Sequence, residues 1–175
     1  MAKSKILNTN LFINLPLNKS DKIIFSIYIV LTAITFSFLL SNKNDTVEKW
    51  VLCYGYLTHL LFYLFLYVSL RNLKTFLIWI GISLFHLFLY FHFYRTSAPV
   101  ASKFSLMPLR NTTILLVIFQ LLRWTFLKIK KVNLVMPSRS GKDLFEERVP
   151  GFLDFLWLLF YMTVFFVLNL LPFLK

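Results

Sequence analysis

Five runs of apolar residues, each close to the length of a bilayer crossing, make up most of this chain, and short connections rich in Lys and Arg separate them. The first run, 23–40, forms roughly 27 Å of helix at about 1.5 Å per residue, just enough for a hydrocarbon core. The second, 50–70, follows a hydrophilic turn at 41–49 and has Trp50 and Tyr54 as interfacial aromatics. Only Arg71, Asn72, Leu73 and Lys74 stand between it and the third run, 75–94, so these two helices pack antiparallel. A loop at 95–110 with Pro99 and Pro108 leads to 111–127, which is short for a span and carries Gln120 and Arg123. The last run, 151–171, starts behind Pro150 and ends at Pro172. The pattern predicts an all-α, polytopic integral membrane protein: a bundle of five transmembrane helices, or four if 111–127 does not cross, with no soluble domain.

Charge decides the marginal case. The chain carries 19 Lys and Arg residues against 7 Asp and Glu, a formal net charge of +12. If 111–127 crosses, one side collects four Lys of the tail 1–22, Arg71 and Lys74, and six basic residues of the polar island 128–150, twelve in all. The other side holds six: Lys43, Lys49, Arg95, Lys103, Arg110 and Lys175. Basic residues favour the cytoplasmic side, so the expected arrangement has the amino terminus and the island inside and the carboxy terminus on the outer side of the cell (inner) membrane. Because the cations flank apolar runs, they point to anionic lipid headgroups as partner and not to nucleic acid. The tail 1–22 mixes Lys with apolar residues around Pro16 and is expected to lie on the headgroups. With one cysteine, Cys53, the chain has no means of forming an internal disulfide or a cysteine cluster for a metal. The first run lacks the small-residue pattern of a cleavage site and is long enough to span, so it is not expected to be a removed signal.

Polar residues inside spans are costly and recur here at helical spacing. Trp79, Ser83, His86, Tyr90 and Tyr94 share one face of the third helix, Tyr56, His59, Tyr63 and Tyr67 one face of the second, and Tyr28, Thr32 and Thr35 one face of the first. These stripes are expected to form the buried seam of the bundle, with the lining of a shared pore as the sharper alternative. His59 and His86 fall near the same depth on neighbouring helices and are weak candidates for axial haem ligands, set among bulky Leu, Phe and Tyr that leave a haem little space. No other cofactor and no metal is expected. Gly81-Ile82-Ser83 is too slight a motif to mark a serine nucleophile, because Ser83 and His86 lie one turn apart on the same helix. Arg123 and Asp154 stand on either side of the island, near helix ends that meet the same interface, and form a candidate intramembrane ion pair.

Within the island, Ser140 and Asp143 have the spacing of a capping box and predict a short helix over 142–149. Met136 and Asp143 stand where a phosphate-binding loop needs Gly and Ser or Thr, which excludes nucleotide binding of that kind. Lys142, Asp143, Leu144, Phe145, Glu146, Glu147 and Arg148 are therefore expected to be a docking surface. The whole reads as a non-enzymatic multi-pass subunit or accessory component of a larger membrane complex, partnered by other membrane proteins or by its own copies. The alternative is a small homo-oligomeric channel lined by the stripes of the second and third helices, and a bis-His haem redox protein ranks below it. Size and layout are similar to those of small accessory membrane proteins of bacterial defence or secretion loci, a likeness of topology that no motif anchors.

Overall fold

The computed structural model describes residues 11–41, 45–96, 104–135 and 149–170, with the side chains of Ser41 and Thr96 outside that description. Among the described residues five α-helices follow one another: α1 Lys19–Ser41, α2 Asp45–Leu64, α3 Leu73–Thr96, α4 Met107–Lys130 and α5 Phe152–Leu170. A single 3-10 turn, Ser69–Arg71, joins α2 to α3. Among the described residues there is no β-strand, only an isolated parallel bridge between Ile13 and Asn72. The expected short helix at 142–149 lies outside the described residues except for Val149, which is in no helix.

Four of the five helices, α1, α3, α4 and α5, are long and apolar enough to cross a membrane. This corrects the sequence expectation in two ways. The doubtful fourth segment is longer than its apolar stretch, 24 residues, because Pro108 starts it one turn earlier and Lys131, at φ 55, closes it later by donating its N–H to the Leu127 carbonyl. Proline costs nothing in a first helical turn, where its missing N–H would have no partner. The segment that falls short is instead α2. It opens on Asp45, Glu48 and Lys49, buries Tyr54, Thr58, His59 and Tyr63, and stops at Leu64 rather than at residue 70. A helix sheltered by its neighbours does not need an apolar surface all round.

The exterior supports a lipid-facing bundle. Phe152, Leu159, Phe155 and Phe166 of α5 and Ile23, Ile27, Ile29 and Val30 of α1 are exposed, while His59, His86, Ser83, Thr35 and Thr75 are fully buried. Polar groups turned inward beneath an apolar skin invert the usual arrangement in water. Within the seam, Trp79 of α3 is enclosed by the rings of Phe25, Tyr28 and Phe62, with centroids 5.6, 4.7 and 5.3 Å away.

α4 is the hub, packed on α2, α3 and α5. It comes close to α2 at Gly55, where a Cβ would overlap the Pro108 ring. α5 is fastened to α4 at one end by Asn111, whose Nδ2 donates to Asn169 Oδ1 at 3.0 Å and to the Leu168 carbonyl at 3.1 Å. Trp157 Nε1 adds a bond to the Leu122 carbonyl at 3.1 Å.

At the opposite end the connections meet. The described part of the amino-terminal arm is tied to the α2–α3 turn: Ile13 N donates to the Arg71 carbonyl at 2.9 Å, and Leu73 N to the Ile13 carbonyl at 3.0 Å. Phe12 packs on Phe76 at 5.1 Å. The start of the island also folds inward, burying Leu134 and Val135. The described part of the amino-terminal arm, the α2–α3 turn and the start of the island thus share one end of the bundle, as alternating helices require.

The two helical glycines provide a paired test. Gly55→Ala should lower stability by about 1–3 kcal/mol through overpacking against Pro108. Gly81, with open space around it, should gain on replacement by Ala, by roughly 0.5–1 kcal/mol. Thermal unfolding of the two variants in detergent checks both signs.

Candidate functional site

Two polar assemblies occupy the interior, one toward each end. The first grows from the three stripes. Tyr54 on α2 places its hydroxyl 2.7 Å from Thr32 Oγ1 on α1 and 2.7 Å from His86 Nε2 on α3. His86 Nδ1 lies 3.3 Å from Thr112 Oγ1 on α4, and the same hydroxyl lies 3.2 Å from His59 Nε2 on α2. His59 Nε2 also donates to the Pro108 carbonyl at 2.9 Å, and Thr112 Oγ1 donates to that carbonyl at 3.0 Å. Tyr28 is a side branch, 2.6 Å from Thr58 Oγ1 and 3.4 Å from His86 Nε2. Four helices are therefore joined by one set of hydroxyls and imidazoles. The Gly55–Pro108 contact is its foundation, since it brings the Pro108 carbonyl within reach of His59, one turn beyond Gly55.

The stripe residues do not all enter this set. Ser83 Oγ bonds back to the Ile80 carbonyl at 2.9 Å, while its own carbonyl accepts Thr113 Oγ1 at 3.0 Å. Tyr63 and Tyr161 stack at 4.9 Å; Tyr161 donates to the His59 carbonyl at 2.9 Å, and the Tyr63 hydroxyl has no hydrogen-bond partner. Tyr67 is buried in the turn beyond α2, with the Arg71 guanidinium 5.9 Å over its ring. Tyr90 is buried with Arg110 5.8 Å over its ring, Tyr56 is half-buried, and Tyr94 is exposed. His59 and His86 are separated by the Thr112 side chain, which fills the place a haem plane would need between them. Among the described residues no group of three or more His, Cys, Asp or Glu is arranged to hold a metal ion.

The second assembly lies where the connections meet, and it holds the candidate ion-pair residues. Arg123 is buried and donates through Nη1 to the Leu70 carbonyl at 2.8 Å; Gln120 Nε2 donates to the same carbonyl at 3.1 Å. The Arg123 guanidinium also sits 5.3 Å over the Phe12 ring, a cation–π contact. Its Nε and Nη2 have no hydrogen-bond partner. Arg71 Nη2 donates to the Leu134 carbonyl at 2.8 Å.

Asp154, also buried, takes two main-chain donors: Val135 N at 3.2 Å on Oδ1 and Gly151 N at 2.8 Å on Oδ2. Each of the two candidate charges is thus met by backbone groups of a connection that faces it. Sequence spacing located both side chains and gave no sign of these partners, because a loop carbonyl or N–H is the same for every residue type. The seven docking residues from Lys142 to Arg148 lie outside the described residues.

Comparison with protein-family models, with curated proteins and with solved structures finds no match.

Replacing Asp154 by Ala would leave the buried Val135 N–H without an acceptor, a cost of about 1–3 kcal/mol, and would also remove the acceptor of the part-buried Gly151 N–H. Asp154→Asn keeps acceptor oxygen for one of them and should fall between Ala and the parent. Thermal unfolding should rank the three in that order.

Proposed function

We propose that this protein is a non-catalytic, multi-pass component of a larger membrane complex, which engages its partner through the island segment 136–148. The observation that carries this reading is the double grip of Asp154. One carboxylate accepts N–H groups from Val135 and Gly151, residues that bracket the segment on both sides. A segment whose two ends are held loses less entropy on binding than a free tail would. In sequence, Leu144 and Phe145 are adjacent apolar residues, preceded by Lys142 and Asp143 and followed by Glu146, Glu147 and Arg148. Anchors of this kind, ringed by polar residues, supply most of the energy in protein interfaces.

The basic balance supports placing this end at the cytoplasmic face of the cell membrane, where the island would also meet anionic headgroups. A pore lined by the tyrosine and histidine stripes is the weaker reading. The two histidines of those stripes, His59 and His86, are fully buried and bonded to Tyr54, Thr112 and the Pro108 carbonyl of the same chain, which leaves them turned away from a shared axis.

A reporter fused after Lys175 should be active on the outer side, and one fused to the amino terminus on the cytoplasmic side; a cytoplasmic carboxy terminus would overturn the orientation. Purified gently from its native membrane, the protein should carry a stoichiometric partner. The double variant Leu144→Glu, Phe145→Glu should weaken that association by at least about tenfold, 1.4 kcal/mol, with unfolding temperature unchanged. Retention of the partner by the double variant would refute the docking role.

A further inference from the structure

At the end of the bundle where the connections meet, one buried charge is only half engaged. Arg123 is 1% exposed and stands about two turns before α4 ends at Lys130. Its Nη1 donates to the Leu70 carbonyl at 2.8 Å, while Nε and Nη2 meet no acceptor. Those two atoms form the lateral edge of the guanidinium, whose parallel N–H bonds match paired oxygens of a phosphate or carboxylate. The nearby buried carboxylate does not serve this edge, since Asp154 accepts from Val135 N and Gly151 N. Unmet donors on a buried cation cost stability, so the edge does nothing for the fold.

The amino-terminal arm lies over this side chain. Phe12 sets its ring 5.3 Å from the Arg123 guanidinium and packs on Phe76 of α3 at 5.1 Å. Ile13 exchanges main-chain bonds with Arg71 and Leu73 at 2.9 and 3.0 Å. The Asn72 amide continues the pairing as a backbone would, donating to the Leu15 carbonyl at 3.0 Å and accepting from Leu15 N at 3.4 Å. Both Asn72 bonds are exposed, as are Asn14, Leu15 and Pro16, and Phe12 and Ile13 are only half-buried. A segment with few buried contacts and exposed hydrogen bonds opens at lower cost than the helices it rests on.

We propose that residues 12–15 form a displaceable strap over a phosphate-binding site at Arg123. With the strap docked, Phe12 shields the guanidinium. With the strap lifted, Phe12 gives up its place, and Nε and Nη2 each donate to an oxygen of one phosphate group. Nη1 keeps the Leu70 carbonyl throughout, and Gln120 Nε2, bonded to the same oxygen at 3.1 Å, holds that side of the site in place. Lys22, Lys74 and Lys128, exposed at the helix ends on this side, draw anions towards it. A lipid headgroup and free inorganic phosphate present the same chemistry here. The site is independent of the docking role of the island.

The test treats full-length protein, in a sugar detergent that contains no phosphate, with phenylglyoxal, which caps guanidinium groups, and follows each arginine by mass spectrometry. In the parent, Arg123 should label far more slowly than Arg95, which is exposed at the end of α3. Ile13→Pro removes the N–H that bonds to Arg71 and touches no helix. It should raise Arg123 labelling about fivefold or more, the effect of one lost hydrogen bond on a local opening, and leave Arg95 unchanged. Inorganic phosphate, or phosphatidylglycerol added to the micelles, should return Arg123 towards the parent rate with Arg95 as reference. Protection by the lipid alone identifies a headgroup as the source, and protection by inorganic phosphate a free anion. Phe12→Ala removes the cover and keeps the main-chain tethers, so it serves as the second variant if the proline lowers the unfolding temperature. Equal labelling of Arg123 and Arg95 in the parent, no rise in the folded variants, or a rise that neither phosphate source reverses would overturn the proposal.

Discussion

A polar side chain inside an apolar sheath has no water to fall back on, so a buried hydroxyl, imidazole or guanidinium is costly unless it finds a partner, in its own helix or on another element. That constraint organises the bundle. α4 supplies four buried polar side chains that reach three places: Asn111 reaches α5, Thr112 reaches α2 and α3, and Gln120 and Arg123 together reach the α2–α3 turn. The helix that hydropathy makes the weakest candidate is central for the same reason. Its polar residues are an internal surface and not a defect in an external one.

The interior is divided. Toward one end, neutral hydroxyls and imidazoles hold α1 to α4 together through side chain to side chain bonds. Toward the other, buried charges address the main chain of the connections. Leu70 is the clearest case: its carbonyl, freed where α2 gives way to the 3-10 turn, accepts from both Gln120 and Arg123. Leu70 thus marks the place where the end of the second helical segment meets the polar side of α4.

The division separates two kinds of bonding. Charged side chains at one end, Arg71, Arg123 and Asp154, meet main-chain groups of the connections, while the groups at the other end are neutral side chains bonded to one another and to nearby carbonyls. Gly55 connects the two descriptions to packing, because only its lack of a side chain lets α2 and α4 close enough for His59 to reach the Pro108 carbonyl.

Apolar run lengths and helical spacing by themselves determined the all-helical class, the approximate place of each helix, and the faces on which Tyr28, Thr32, His59, Ser83 and His86 turn inward. These follow from local geometry and the cost of polar groups in lipid, both of which a linear pattern records. Tyr54 was legible only as an interfacial aromatic, because its pairing with His86 depends on how α2 and α3 rotate against each other. The end of α2, the docking of Ile13 on Asn72, and the partners of Arg123 and Asp154 were likewise settled in three dimensions. Main-chain donors and acceptors are identical at every residue, so which of them a buried charge finds is decided only when distant segments arrive at the same end of the bundle.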